Sequence, residues 1–299
     1  MGKLTSTFFI AFIISLSILC CRKDTMISDP ELEQLIKTAD KEKSNSNNVR
    51  VVRYVESKYQ STTDPTIKLR YLDAGLQFCT QHKMDMEASS FLSQIISEDY
   101  TSPKTPSRLL SLINYYNTHG KEFPADILGL SLVKNFPKAK ESGELKGKIN
   151  LKEEAVPGMI TSLKALSIDT TAAFGINGVK AIEYMEACDA YALGNPNSPE
   201  APEMLFSAAE MARSARNISR SLFLYDKLIQ KYPQSKRVPS ALFVKGFILE
   251  NEVKDINGAR LAYQTFLAKF PDNLLAKDVK FLLENLGKTG EELMKSIGR

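Results

Sequence analysis

From Val49 onward, apolar residues recur every three or four positions, the spacing that gathers one face of an α-helix. Leu69, Leu72 and Leu76 form one such stripe, and Leu109, Leu112, Ile113 and Tyr116 another. Helix starts are spelled out beside them. Asp29 precedes Pro30, Asp64 precedes Pro65, Ser102 precedes Pro103, and Pro124 opens ADILGLSLVKNF. An Asp side chain accepts from the free N–H groups of a first turn, and Pro has no N–H to waste there. No β-hairpin signal interrupts this part, so the pattern predicts helix after helix over residues 49–140. The polar tract KEKSNSNN, Lys41–Asn48, predicts a tether over residues 21–48. From Glu141 the pattern loosens. ESGELKGKINLKEE is charged and holds two glycines, and DTTAAFGING adds two more, which predicts a linker or irregular helices over 141–177.

The C-terminal part repeats itself. NPNSPEAPEMLF, YPQSKRVPSALF and FPDNLLAKDVKF align on Pro196, Pro233 and Pro271, at intervals of 37 and 38 residues. Tyr225 and Tyr263, upstream of the last two prolines, are also 38 apart. A fixed period of this length predicts stacked helical units over 178–299. The segment KDVKFLLENLGKTGEELMKSI then reads as a cap, with Val279, Leu282, Leu283 and Leu286 on one face and Gly287 stopping the helix.

These residues resemble the tetratricopeptide repeat (TPR), a pair of helices closed by a proline. Leu205, Ala208, Ala209 and Ala212 fall on the first helix of one repeat and Ser221, Tyr225 and Leu228 on the second. In the next repeat Leu242, Gly246 and Leu249 are followed by Ala259, Tyr263 and Phe266. Gly246 is informative because a glycine inside a helix costs about 1 kcal/mol relative to Ala and needs a packing reason. Departures from the family pattern are Lys245 at an apolar position, Ala212 at an aromatic one, and the absence of Trp. The resemblance implies an all-α TPR-type helical-hairpin solenoid, with a divergent, TPR-like helical block before it. QIISEDYTSPKTPSRLL and SLVKNFPKAK have the ending and restart of such helix pairs.

The first twenty residues read differently. FFIAFIISLSIL, Phe8–Leu19, is an uncharged run too short to span a bilayer, and it suits a secretory signal peptide over 1–20. ILCC resembles the lipobox of bacterial lipoproteins, with Ile18 and Cys20 upstream of Cys21. Cys21 is the expected lipidation site and Cys20 the alternative. Each buried CH₂ contributes about 0.8 kcal/mol, so a lipid-bearing N-terminus of more than one chain would anchor the protein to a membrane. Arg22 after the cysteine favours the outer membrane, facing periplasm or cell surface. Taken with the repeats, the chain is similar to the TPR lipoproteins of Gram-negative envelopes, of the kind found in outer-membrane β-barrel assembly and beside the Tol-Pal system.

Lys plus Arg exceed Asp plus Glu by only 39 to 35, and the charges are mixed, which argues against a nucleic-acid partner. His82 and His119 sit in apparent turns with no ligand partner at metal-binding spacing, and no nucleophile elbow, phosphate loop or HExxH occurs. No enzyme activity, cofactor or metal is expected. Cys79 and Cys188 lie in apolar helical patterns, as buried thiols or, less simply, as a disulfide. The family's geometry implies that the first helices carry a partner-binding face of Glu203, Phe206, Glu210 and Arg213, continued by Ser240, Phe243, Phe247, Glu250 and Asn251. Aromatic anchors with a polar rim suit a protein or peptide partner, and the alternative is that the rings pack between repeats. The expected function is a lipid-anchored interaction scaffold in envelope assembly or maintenance. A second reading is a glycan- or peptidoglycan-binding module using the irregular region Ile149–Gly178. An enzyme with a site in the N-terminal block comes last.

Overall fold

The structure, a computed structural model, describes residues 27–149, 151–172, 175–288 and 292. The apolar N-terminal run, Cys20 and Cys21 lie outside the described residues. The chain divides into two compact units between Glu98 and Asp99.

In the first unit α1 (Pro30–Glu42), α2 (Asn45–Ser61), α3 (Pro65–Gln81) and α4 (Asp85–Glu98) each pack on the next. One buried carboxylate ties three of them. Asp29 caps α1 by accepting from the Glu31 and Leu32 N–H groups at 3.1 Å, and also accepts from the hydroxyls of Tyr54 on α2 at 3.0 Å and Tyr71 on α3 at 2.7 Å. Burial resists its ionisation, yet the hydrogen bonds from Tyr71, Leu32 and Tyr54 outweigh burial and hold the carboxyl below the ordinary range. The segment expected as a tether is therefore helical from Pro30. Its polar residues serve as caps, with Ser44 Oγ accepting from the Asn47 N–H at 3.2 Å, and buried Val51, Val52 and Val55 draw the helix they start into the core.

The second unit contains α5 (Thr105–Thr118), α6 (Glu122–Asn135), α7 (Lys140–Leu145), a 3₁₀ turn (Glu153–Ala155), α8 (Val156–Leu166), α9 (Gly178–Gly194), α10 (Ala201–Ser214), α11 (Ile218–Lys231), α12 (Val238–Ile248) with a π turn (Leu249–Val253), α13 (Ile256–Lys269) and α14 (Ala276–Glu284). Four of these helices end alike. α6, α9, α11 and α13 stop at Phe136, Asn195, Tyr232 and Phe270, each with φ between −126° and −134° and ψ between 53° and 59°, and each followed by proline. Proline disfavours the helical conformation in the residue before it, which ends the helix there. Two successive turns then aim the chain into the next helix. The Ser235 N–H donates to the Tyr232 carbonyl and the Val238 N–H to the Ser235 carbonyl. The same pair of bonds starts from Asp99, Phe136, Asn195 and Phe270.

The turns inside the hairpins repeat too. Lys83, Gly120, Arg216 and Lys254 all take the left-handed conformation, with φ from 55° to 68°. After the first three, the next N–H reaches the carbonyl five residues back: Met84 to Cys79, Lys121 to Tyr116, Asn217 to Ala212. After Lys254 the Asp255 N–H reaches back six, to Leu249, because the π turn holds one extra residue. This explains why one sequence interval is 37 and the next 38. Helix starts Ala201 and Val238 are 37 apart, whereas Asn217 and Asp255, which cap the following helices, are 38 apart.

The array therefore begins earlier than residue 178. The α5–α6 hairpin matches α10–α11 at a constant offset of 96 residues: Asp99 with Asn195, Thr105 with Ala201, Gly120 with Arg216, Phe136 with Tyr232. The boundary expected near residue 140 is not where the compact units part. What breaks the period is an insertion after Phe136, where α7 begins as a first helix should, with Ser142 buried, and ends after six residues. The expected linker over 141–177 is this short helix, the 3₁₀ turn and α8, closed by a bridge between Ile168 and Ile176.

Small residues admit the rings that fill the hairpins. A Cβ on Gly246 would lie 2.6 Å from Cδ1 of the fully buried Tyr263, and one on Gly75 2.7 Å from the Phe91 ring. Successive second helices α9 and α11 are joined by charge. Buried Asp189 on α9 receives Arg220 at 2.8 Å and Lys227 at 2.5 Å from α11. Burial opposes its ionisation, but Lys227 and Arg220 more than compensate, pulling the carboxyl down to about 2.

Gly246→Val should destabilise the protein by about 1–3 kcal/mol through overpacking against Tyr263, read as a lower urea midpoint. Asp189→Asn should cost about 3 kcal/mol, because it leaves two half-buried cations facing a neutral group. The Asp189 carboxyl is depressed in the folded state, so its contribution is complete above an unfolded value of about 3.9 and is lost as pH falls through about 2. The stability gap between wild type and Asp189→Asn should accordingly shrink between pH 4 and 2, and a gap constant over that window would refute the assignment.

Candidate partner-binding face

All nine residues expected on the binding face lie on α10, α12 and the π turn. The structure places four of them, Glu203, Phe206, Arg213 and Phe247, in two sets of Arg–Phe–Glu contacts. Arg237 lies over the Phe206 ring at 4.9 Å and donates to Glu203 at 2.6 Å, with Lys236 4.0 Å from the same carboxylate. Arg213 lies over the Phe247 ring at 5.5 Å and donates to Glu252 at 2.9 Å. Phe206 also meets the edge of Tyr225, with ring centroids 5.7 Å apart. Each guanidinium thus bridges from one helical unit to the next while stacking on an aromatic face, an attraction of about 0.5–1 kcal/mol at such exposed sites.

Two of the three glutamates of the face, Glu210 and Glu250, look inward. Glu210 accepts from the hydroxyl of buried Tyr225, and Glu250 from that of Tyr263 at 3.0 Å and from the Gly287 N–H at 3.2 Å. Burial raises the Glu210 carboxyl above its ordinary value, against the pull of Arg213 and Lys164. Phe243 and Ser240 are half-buried on α12, and Asn251 is exposed with its amide donating to the Phe247 carbonyl at 3.1 Å. Lys245, out of place as an apolar position, is paired with Asp226 of α11.

The other candidates have structural surroundings. His82 caps the end of α3, stacked on Phe78 at 4.2 Å and 3.0 Å from Asp40. His119 ends α5, with Nδ1 2.8 Å from the Tyr115 carbonyl. Glu153 pairs with Lys134 at 2.5 Å. Cys79 and Cys188 are buried free thiols in different units, each pushed up to about 12 by burial first, with Glu87 and Glu56 adding at Cys79 and Asp189 at Cys188 against a Tyr184 hydrogen bond. Among the described residues no helix is long and apolar enough to cross a membrane.

The fold is TPR-like and all-α. The TPR2AB domain of yeast Sti1, solved in complex with pHSP90, is similar to this chain at 14% identity over 86% of this chain and 99% of that one, with a TM-score of 0.29. No protein-family model matches the chain, and no curated protein matches it.

Sequence reading missed three positions of the same face. At the 96-residue offset, Phe206, Glu210 and Arg213 of α10 correspond to Leu110, Asn114 and Asn117 of α5. Pro137 closes that earlier hairpin as Pro233 closes the later one, and was the signal available, but the inserted residues place it 59 rather than 37 residues before Pro196.

A double-mutant cycle with Arg237→Ala and Phe206→Leu should give a coupling of about 0.5–1 kcal/mol in urea unfolding. Strict additivity would mean that the stack contributes nothing.

Proposed function

We propose that the protein is an interaction scaffold whose second unit holds a polypeptide partner on the face formed by α10 and α12. The observation that carries this reading is the row of half-buried rings, Phe206, Phe243 and Phe247, set among guanidinium and carboxylate groups on adjacent first helices. Rings and arginines held rigidly by neighbours are suited to recognition, because little side-chain freedom is lost on binding. The Sti1 domain, by its title, is complexed with pHSP90, and it is consistent with this reading only as a protein-binding example of a TPR array. The resemblance of Ile18-Leu19-Cys20-Cys21 to a lipobox supports attachment to a membrane through Cys21, and the envelope-type repeats support a place at the outer membrane, in assembly or maintenance rather than catalysis.

A photo-crosslinking residue at Ser240 should capture a discrete partner in intact cells, and one at exposed Gln230 should not. Phe243→Ala with Phe247→Ala should reduce capture at least about tenfold if each ring contributes on the order of 1 kcal/mol. Unchanged capture by the folded double variant would remove this face from partner binding. For the anchor, Cys21→Ala should abolish fatty-acid labelling and move the protein to the soluble fraction; a variant that keeps both would shift the lipidation site elsewhere.

A further inference from the structure

The α5–α6 and α10–α11 hairpins share one register at the 96-residue offset, yet one position differs in a way that opens space. Tyr225 of α11 is fully buried, its ring edge against Phe206 and its hydroxyl on Glu210. The residue at the same place in α6, 96 positions earlier, is Gly129. Nothing from within the hairpin supplies the missing ring. A cavity of about 230 Å³ lies there, lined by Leu110, Ile113, Asn114 and Asn117 of α5 and by Asp126 and Gly129 of α6. Leu110 and Asn114 are the counterparts of the two residues that contact Tyr225, so the cavity lies at the counterpart of the tyrosine site, with Ile149 taking the space next to Gly129. An engineered apolar cavity of about 150 Å³ is enough to take a benzene ring.

The insertion after Phe136 keeps this space open. In the other hairpins a full-length first helix follows; here α7 ends at Leu145, and Ile149 enters only as a partial plug, its Cδ1 2.8 Å from where a Gly129 Cβ would be. The cavity has an apolar wall of Leu110, Ile113 and Leu145 and a polar end at Asn114, Asn117 and Asp126. Asn114 and Asn117 are exposed on the face that corresponds to the Phe206–Glu210–Arg213 face of α10.

We propose that this cavity receives a tyrosine side chain of a bound polypeptide, the ring lying between Leu110 and Gly129 and the phenol donating to the Asn114 carboxamide oxygen. The chain itself displays the fit in the sister hairpin, where a tyrosine of its own occupies the equivalent space and donates to the residue equivalent to Asn114. Burial and Glu122 raise the Asp126 carboxyl, and Glu144 and Lys148 also line this cavity. The inference extends the reading of the array as a polypeptide-binding scaffold to a second position on it, and names the residue type recognised.

The test is methyl NMR on the full-length protein, following Leu110, Ile113 and Ile149, with p-cresol, toluene, acetyl-Gly-Tyr-Gly-amide and acetyl-Gly-Ala-Gly-amide as probes. The expected result is saturable shifts with p-cresol in the millimolar range, at least about threefold tighter than with toluene, and the same methyls shifted by the tyrosine peptide but not by the alanine peptide. Gly129→Tyr should fill the cavity and abolish every shift. Should that variant not fold, Asn114→Leu provides the same decision, keeping toluene binding and losing the preference for p-cresol. Unmoved methyls with p-cresol, or a folded Gly129→Tyr that binds as wild type does, would overturn the proposal. Binding of p-cresol without the tyrosine peptide would overturn the polypeptide source and leave a free phenolic molecule as the ligand. These outcomes are independent of crosslinking at Ser240, which reports on α10 and α12 alone.

Discussion

The second unit depends on how its second helices end. Proline disfavours the helical conformation in the residue before it, and at Phe136, Asn195, Tyr232 and Phe270 that residue settles at nearly one pair of dihedral angles. Two hydrogen-bonded turns follow each time, so the direction of the next helix is set locally and four times over. Stacking then needs only that the facing side chains fit. This is why the array tolerates a π turn in one hairpin and a long insertion in another without losing its order: both changes fall between these fixed joints.

Within that frame, volume decides the interior. A buried tyrosine demands a small residue opposite, supplied by Gly246 for Tyr263, and an acceptor for its hydroxyl, supplied by Glu250 and, in the preceding hairpin, by Glu210 for Tyr225. A ring that donates to a carboxylate satisfies its one polar atom while burying the rest, which is the condition for placing a tyrosine in a core. Where Gly129 replaces the ring, the same rule is relaxed and space results.

Charge has two separate uses. On the second helices, buried Asp189 with the half-buried Arg220 and Lys227 forms an ion triad that joins α9 to α11. On the first helices, Arg213 and Arg237 are half-exposed and stacked on Phe247 and Phe206. The first arrangement fixes neighbouring helices, since removing one partner strands charge away from water. The second leaves rings and cations at the surface, in the composition that interfaces favour.

Much of this was legible in the sequence, for identifiable reasons. The stripes of apolar residues, the Asp–Pro and Ser–Pro starts and the recurrence of Pro196, Pro233 and Pro271 are local signals, and they sufficed for an all-α array of hairpins and for the glycine packing at Gly246. Of the nine face residues placed by helical period, seven lie on α10 and α12, and Glu250 and Asn251 lie in the π turn. Other features were not legible because they arise from contacts distant in sequence. The polar tract after Lys41 looked like a tether, since sequence alone does not show Val51 and Val55 drawing its helix into a core held by Asp29. The early hairpin at residues 105–135 was signalled by SLVKNFPKAK, but its register with the later repeats was hidden by the insertion that shifts Pro137 out of period. The sequence by itself determined helix ends, turns and repeat length, because these depend on the backbone preferences of neighbouring residues. Only the tertiary structure decided which faces meet, which rings are covered by arginine and where a ring is missing, because those depend on side chains that pack across helices.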